Sequence, residues 1–395
     1  MIGLSESNEH PPRQYPHMFL LPVLLASLLP GLALLAAAPT ADPNDLANFP
    51  RLRGMTVPFR ADAKVFHDAA ANGANAVRLI LSPLTTSASH PAAGWAKMVE
   101  NLPSQLDAAK EAHLVVIVSL FTPPVDLNFG ASAKDEDRKA ALHAFWTDPK
   151  SLDIMIAQAV QTARLLKPYE GMVWLELKNE PLDWADYPAP PHHWPEWAQK
   201  LVDAVRAVSA APIVVQVGPG GLCSGFATFP KLQGDNLVYS LHNYQPHDYT
   251  HQGVKQLAGT DLAHSYDQVG KKWPGEFGDG KGGVWDKDRL RKVFEPVIRF
   301  AQENKVRIFV GEFGVARWAP NAEGYLRDNI ELFEELGWDW TYHAFRESSI
   351  WSFEHDEAYS DGKNARLSTS ENARAKVVRE ALLKNQSIFK RESHP

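Results

Sequence analysis

Eight short runs rich in Val, Ile and Leu, each followed by a stretch of helical spacing, predict an α/β protein of the (β/α)8 TIM-barrel class. The runs are continuously apolar rather than alternating, the habit of strands buried on both faces of a parallel sheet. No glycine-rich phosphate loop follows the first run, which counts against the alternative, a doubly wound open sheet.

The strand-like runs are LRGMTVPF (52–59), AVRLIL (76–81), LVVIVSLF (114–121), GMVWLELKN (171–179), PIVVQVG (212–218), LVYSLHNY (237–244), RIFVGEFG (307–314) and DWTYHAF (339–345). Amphipathic spacing between them predicts helices over 95–112, 153–166, 194–207, 288–304 and 321–335, with 370–385 closing the ring. In 153–166 the apolar stripe reads as Ile154, Ala157, Val160 and Leu165, with Gln158 and Gln161 outside. Two connections are long, 122–152 and 245–287, and the second holds His247, Tyr249, His251, Gln252, Trp273 and Trp285. Long loops in a compact domain are usually functional or disordered. Both follow strands, so they belong on the face where barrel active sites form.

Ahead of the barrel, FLLPVLLASLLPGLALLAAA (19–38) is apolar and uncharged over 20 residues. That length suits either an export signal or an uncleaved membrane anchor. Residues 1–41 therefore read as a targeting segment and 42–395 as one catalytic domain. The expected location is secreted or periplasmic, or held at a membrane through 19–38.

The chain has 395 residues, 45% hydrophobic and 22% charged, with 40 basic against 47 acidic side chains and a net charge of −7. This balance gives no attraction to a polyanion and argues against a nucleic-acid partner. A lone cysteine, Cys223, excludes an intrachain disulfide and a thiolate zinc site. The 12 tryptophans divide between core packing and cleft faces on which sugar C–H groups stack.

Polar residues gather at the predicted strand ends. Strand two carries Arg78. Strand four ends in Asn179 and Glu180, strand six in His242 and Tyr244. Strand seven carries Glu312, and strand eight leads into His343, Arg346, Glu347 and Trp351. A single strand-end glutamate is most simply a salt bridge. Two of them, on strands four and seven, are what glycosidic cleavage needs: one acid to protonate the leaving oxygen, one carboxylate to attack or to activate water. Glu176 starts on the same face of its strand as Glu180 but about 13 Å deeper, at roughly 3.3 Å per residue. A charge inside the barrel needs a partner, and Arg78 is the expected one.

VWLELKNEPL (173–182) resembles the Asn-Glu-Pro signature of glycoside hydrolase family 5, the large cellulase and mannanase family. VGEFG (310–314) is similar to that family's strand-seven nucleophile motif, and PHDYTHQG (246–253) to a segment after strand six in some bacterial members. The resemblance runs from about residue 50 into the C-terminal region. It implies that Glu180 is the acid/base and Glu312 the nucleophile, with carboxyls about 5–5.5 Å apart, the spacing of a retaining enzyme. It implies further that Asn179 binds the 2-hydroxyl at the −1 subsite. Arg78 and Tyr244 would hold the nucleophile, and His242 would sit by the acid/base.

Two places depart from the family pattern. Phe121 stands where many members end strand three with histidine. His343 and Ala344 stand near the place of a strand-eight tryptophan, so Trp351 becomes the expected sugar platform. The implied substrate is a β-linked polysaccharide or oligosaccharide. β-1,4-Glucan is preferred, with β-mannan or another β-glycan as the alternative. The implied enzyme is a monomer without cofactor or metal. Two rivals remain: a metal-dependent hydrolase using His242, His247 and His251 with Asp248, and a non-catalytic glycan-binding barrel.

Overall fold

The structure is a computed structural model and describes residues 45–81, 91–120, 135–254, 268–278, 283–360 and 364–385. Eight parallel strands close a barrel: β1 (Arg53–Val57), β2 (Ala76–Leu81), β3 (Val115–Leu120), β4 (Val173–Glu176), β5 (Ile213–Gln216), β6 (Leu237–Asn243), β9 (Arg307–Phe313) and β10 (Asp339–Tyr342). Their order around the ring is β1-β10-β9-β6-β5-β4-β3-β2, so each of the eight predicted runs forms a stave. A small antiparallel pair, β7 (Gly275–Glu276) and β8 (Val284–Trp285), lies within the long connection between β6 and β9.

The helices are α1 (Ala63–Ala71), α2 (Pro91–Glu111), α3 (Asp135–Thr147), α4 (Pro149–Leu166), α5 (Trp194–Arg206), α6 (His247–Thr250), α7 (Lys287–Val293), α8 (Glu295–Asn304), α9 (Ala322–Leu336) and α10 (Ala373–Leu382). α1, α3 and the single turn α6 add to the segments that spacing predicts. The single helix expected over 288–304 is two, because Pro296 lacks the N–H that would continue the ladder of α7. α4 exists where expected but is rotated from the predicted face. It buries Leu152, Met155, Ala159, Ala163 and Leu166, and leaves Ile154 exposed. Two neighbouring stripes of this helix are apolar, and packing against the barrel selects the one with the smaller residues at its centre.

Arg307, the first residue of β9, ties the chain entry to the bottom of the barrel. Its guanidinium donates to Asp339 Oδ2 at 2.5 Å and Oδ1 at 2.8 Å. It also donates to the carbonyls of Leu46, Phe49 and Pro50, at 2.7, 2.8 and 2.8 Å. The planar fork lies over the rings of Phe49 and Trp174, a combination that lysine could not supply.

At the other end, β9 carries a bulge. Leu241 pairs with Val310, but the next residue of β6, His242, pairs with Glu312. The extra residue is Gly311. A Cβ there would lie 3.0 Å from His242 Nε2 and 3.1 Å from Ser240 Oγ, so only a residue without one leaves the histidine its place. Gly314 is as confined: a Cβ would meet the carbonyl oxygen of His343 at 2.3 Å. Bulges near active sites re-aim side chains, and this one turns Glu312 into the mouth of the barrel. The apolar stretch 19–38 and Phe121 lie outside the described residues. Among the described residues no helix is long and apolar enough to cross a membrane.

Candidate active site

Arg78 of β2 is the hub of the mouth. Its side chain is wholly buried, and four groups use its donors: Nε to Glu176 Oε2 at 2.7 Å, Nη1 to Glu312 Oε1 at 2.6 Å, and Nη2 to Asn179 Oδ1 at 2.6 Å and Ser119 Oγ at 3.0 Å. The pairing of Glu176 with Arg78 is the one the strand geometry predicts. Two buried carboxylates hold the guanidinium charged against the cost of burial.

Glu312 accepts a second strong hydrogen bond at its other oxygen, 2.8 Å from the Tyr244 hydroxyl. Burial works against its ionisation, but the fields of His242, His343 and Arg78 and the bond from Tyr244 outweigh it. The carboxyl is held well below the usual range. Tyr244 is pushed the other way, by burial first and then by the charge of Glu312, and keeps its proton to donate.

Glu180 follows β4 and is differently placed. Its side chain is 40% exposed where that of Glu312 is 9% exposed, so solvent reaches it from the mouth. Its backbone is left-handed, with φ of 46°, a conformation that non-glycine residues adopt sparingly and that concentrates at functional sites. The Glu180 amide donates to the side-chain oxygen of Gln216, at the end of β5. Gln216 is fixed in turn: its own carbonyl accepts from Trp194 Nε1 at 2.9 Å, at the start of α5. His242 Nδ1 lies 2.8 Å from Glu180 Oε1 and 3.7 Å from Glu312 Oε2, bridging the two carboxyls. Ligand-type atoms of Glu180, His242 and Glu312 all fall within 4.8 Å of one another, and among the described residues this is the group close enough to share a cation.

Trp351 lies beside this centre. Its ring is 6.2 Å from Tyr244, 5.4 Å from His343 and 5.2 Å from His251. His251 also packs edge-on against Tyr244, and His247 packs on His251. Burial lowers both of these histidines, His247 to about 4 and His251 well below its ordinary value. Asp248 points elsewhere, accepting from Lys271 Nζ at 2.8 Å and the Gly278 amide at 2.9 Å.

Arg78, Asn179, Glu180, His242, Tyr244, Glu312 and Trp351 thus converge on one mouth. The strand-end reading missed Ser119 and Gln216, although both are polar residues within runs already read as strands. It also passed over Lys178, whose buried ammonium donates to the Asn179 carbonyl at 2.5 Å. Burial brings that ammonium down to about 8, opposed by the charges of Glu180 and Glu176.

The family model described as cellulase (glycosyl hydrolase family 5) matches residues 41–349. Endoglucanase 3 of Fibrobacter succinogenes is 26% identical over 197 residues, 44% of this chain and 29% of that protein. Endoglucanase C of Acetivibrio thermocellus is 29% identical over 172 residues, 37% of this chain and 49% of its own length. The match therefore spans less than half the length of each of these curated relatives. Among solved structures, endoglucanase Cel5A of Thermotoga maritima superposes with a TM-score of 0.60 at 19% identity, covering 84% of this chain and 96% of that one. Cellulose synthase subunit Z of Clostridioides difficile gives a TM-score of 0.58 at 19% identity, over 85% and 100% of the two chains. At such identities the superpositions speak to the barrel itself, and the family rests on the long sequence match together with the ordered strand-end motifs. The chain belongs to the cellulase family, glycosyl hydrolase family 5.

Proposed function

We propose that this protein hydrolyses β-1,4-linked glucan with retention of anomeric configuration, in two displacements shared between Glu312 and Glu180. The observation that carries the reading is the spacing of the two carboxyls. One oxygen of Glu180 lies within 4.8 Å of one oxygen of Glu312, and His242 Nδ1 lies 2.8 Å from one carboxyl and 3.7 Å from the other. This close approach supports the about 5–5.5 Å spacing of a retaining enzyme over the about 6.5–9.5 Å of an inverting one.

In the first displacement Glu180, as the acid, gives its proton to the glycosidic oxygen. A Glu312 oxygen bonds to the anomeric carbon as the bond to the leaving sugar breaks. Asn179, fixed by Arg78 at its side-chain oxygen, leaves its amide N–H groups for the 2-hydroxyl. In the second displacement Glu180, now a carboxylate, takes a proton from water. The water oxygen bonds to the anomeric carbon, and the electron pair of the ester bond returns to Glu312. Arg78 and Tyr244 are placed where charge leaves and returns, the position from which fixed donors contribute most. Two endoglucanase relatives support glucan over mannan as the chain that is cut.

The test is a substrate screen on carboxymethylcellulose, lichenan, glucomannan and xyloglucan, followed by NMR of the first product released. A β-anomer from a β-glucan is the expected result. An α-anomer would mean inversion and would remove Glu312 as nucleophile. Preference for mannan over every glucan would replace the substrate while leaving the mechanism. We also propose that residues 19–38 take the domain across or onto a membrane. Fractionation of cells expressing the full chain tests this, and recovery in the cytosol would refute it.

A further inference from the structure

His343 sits at a position the two-glutamate reading does not use. Its backbone amide, just past the end of β10, donates to Phe313 O at 3.0 Å. Its ring is nearly buried, 10% exposed. Nδ1 lies 2.9 Å from the Tyr244 hydroxyl oxygen, and Nε2 lies 2.7 Å from Glu347 Oε2.

The hydrogen atoms in this chain can be counted. Tyr244 has one proton, and an ionised Glu312 can only accept, so that proton points to Glu312 Oε2. The Tyr244 oxygen then has only lone pairs to offer His343, and Nδ1 must carry the hydrogen between them. On the far side Glu347 is an acceptor too, so Nε2 must also carry one. Only the imidazolium donates from both nitrogens. A neutral ring protonated at Nε2 would present a lone pair to Tyr244 and compete with Glu312 for its proton.

We propose that His343 is a cationic positioning residue: held doubly protonated by Glu347, it fixes the Tyr244 hydroxyl toward Glu312 and so steadies the nucleophile in its ionised form. This rests on the reading of Glu312 as nucleophile and extends it to Tyr244, His343 and Glu347. The charged groups around the ring divide over the cation. Glu312 of β9 and Glu347 favour it. Arg78 of β2 opposes it from beyond Glu312, and His251 faces it as a neutral ring across Tyr244 and Trp351. Burial disfavours the cation, but the two carboxylates prevail and the imidazole is raised above its ordinary value. In the second displacement the same charge favours return of the electron pair to Glu312, so its loss should slow hydrolysis of the glycosyl-enzyme more than its formation.

Nitrogen-15 NMR of histidine-labelled full-length protein, with His343 assigned by its loss in His343→Phe, tests the protonation state whatever the substrate proves to be. Both ring nitrogens should be protonated at neutral pH, and one bare nitrogen would overturn the proposal. In Glu347→Gln, which loses only an edge carboxylate, the His343 titration should fall by about one pH unit. An unmoved titration would overturn the role of Glu347. In His343→Phe the acid limb of kcat/KM, set by Glu312, should rise by about one unit, with a burst of released aryl group from an activated aryl cellobioside. An acid limb that stays in place in a variant of unchanged Tm would overturn the link to the nucleophile. If no glycan is cleaved but the NMR result holds, the catalytic reading fails and the protonation assignment stands.

Discussion

Arg78 Nη1 lies 2.6 Å from Glu312 Oε1, and the two side chains are 0% and 9% exposed. The same guanidinium serves Glu176, Asn179 and Ser119. A lysine ammonium is a point charge without the fork and cannot meet all four. Arg78→Lys should therefore lower kcat/KM by roughly a hundredfold, the scale of breaking a buried ion pair at about 3 kcal/mol. Steady-state kinetics on an aryl cellobioside would show it, and a change of less than a few fold would make the hub structural only.

The two glutamates should fail in different ways. Glu180→Ala should lose about 10²–10⁴-fold on glucan, the usual worth of a general acid, and far less on an activated aryl glycoside that needs no protonation. Azide should rescue it to a β-glycosyl azide. Glu312→Ala should form no glycosyl-enzyme, and azide should give the α-glycosyl azide. Rescue products of the opposite anomers would exchange the two roles.

Trp351 presents an aromatic face beside Tyr244 and His343 with its Nε1 unpartnered among the described residues. Trp351→Ala should weaken transition-state binding by about 1–3 kcal/mol, seen as a drop in kcat/KM. An unchanged value would place the ring in the scaffold rather than under the sugar.

Acid should act on stability through Glu312. Its folded carboxyl is held below the ordinary range, so it contributes stability that is complete above the unfolded value near about 4.3 and is lost as pH falls through the folded one. Tm measured from about pH 6 to about pH 2 should fall less steeply in Glu312→Gln than in the native chain. Equal slopes would assign the acid loss to other groups.

Arg307 is far from the mouth and tests the scaffold alone. Arg307→Ala leaves Asp339, 1% exposed at its side chain, without its cation. Urea unfolding should report a loss of about 3–5 kcal/mol. A loss under one would mean that the Leu52 amide, 2.8 Å from Asp339 Oδ1, is enough to satisfy the carboxylate.

The barrel was legible because apolar runs report burial directly, and every predicted run became a stave. The site was legible because strand ends are where an α/β barrel exposes polar groups, which is how Glu180, Glu312, Arg78 and Tyr244 could be found together. The face of α4 was not legible, since two adjacent stripes are apolar and only the barrel surface chooses between Ile154 and Met155. Gln216 could have been read by the same strand-end rule. The pairing of Tyr244 with His343 could not, since it depends on the turn after β10 bringing together residues about a hundred positions apart.

Glu312 lies within β9 and Glu180 just past the end of β4, with β5 and β6 between these strands in the ring. Their separation is set by the strand ladders, by one inserted glycine, and by the bonds that hold the short turn after β4, from the Asn179 amide to the Leu120 carbonyl at 2.8 Å and from the Glu180 amide to Gln216, not by the long loops that follow β3 and β6. Exchanging those loops with a homologous barrel should change which polymer is accepted and how long a stretch of it is gripped, while the anomer released stays the same. If the two-displacement proposal holds, choice of polymer and stereochemistry can diverge independently, because one depends on the long loops and the other on the staves and the short turn after β4.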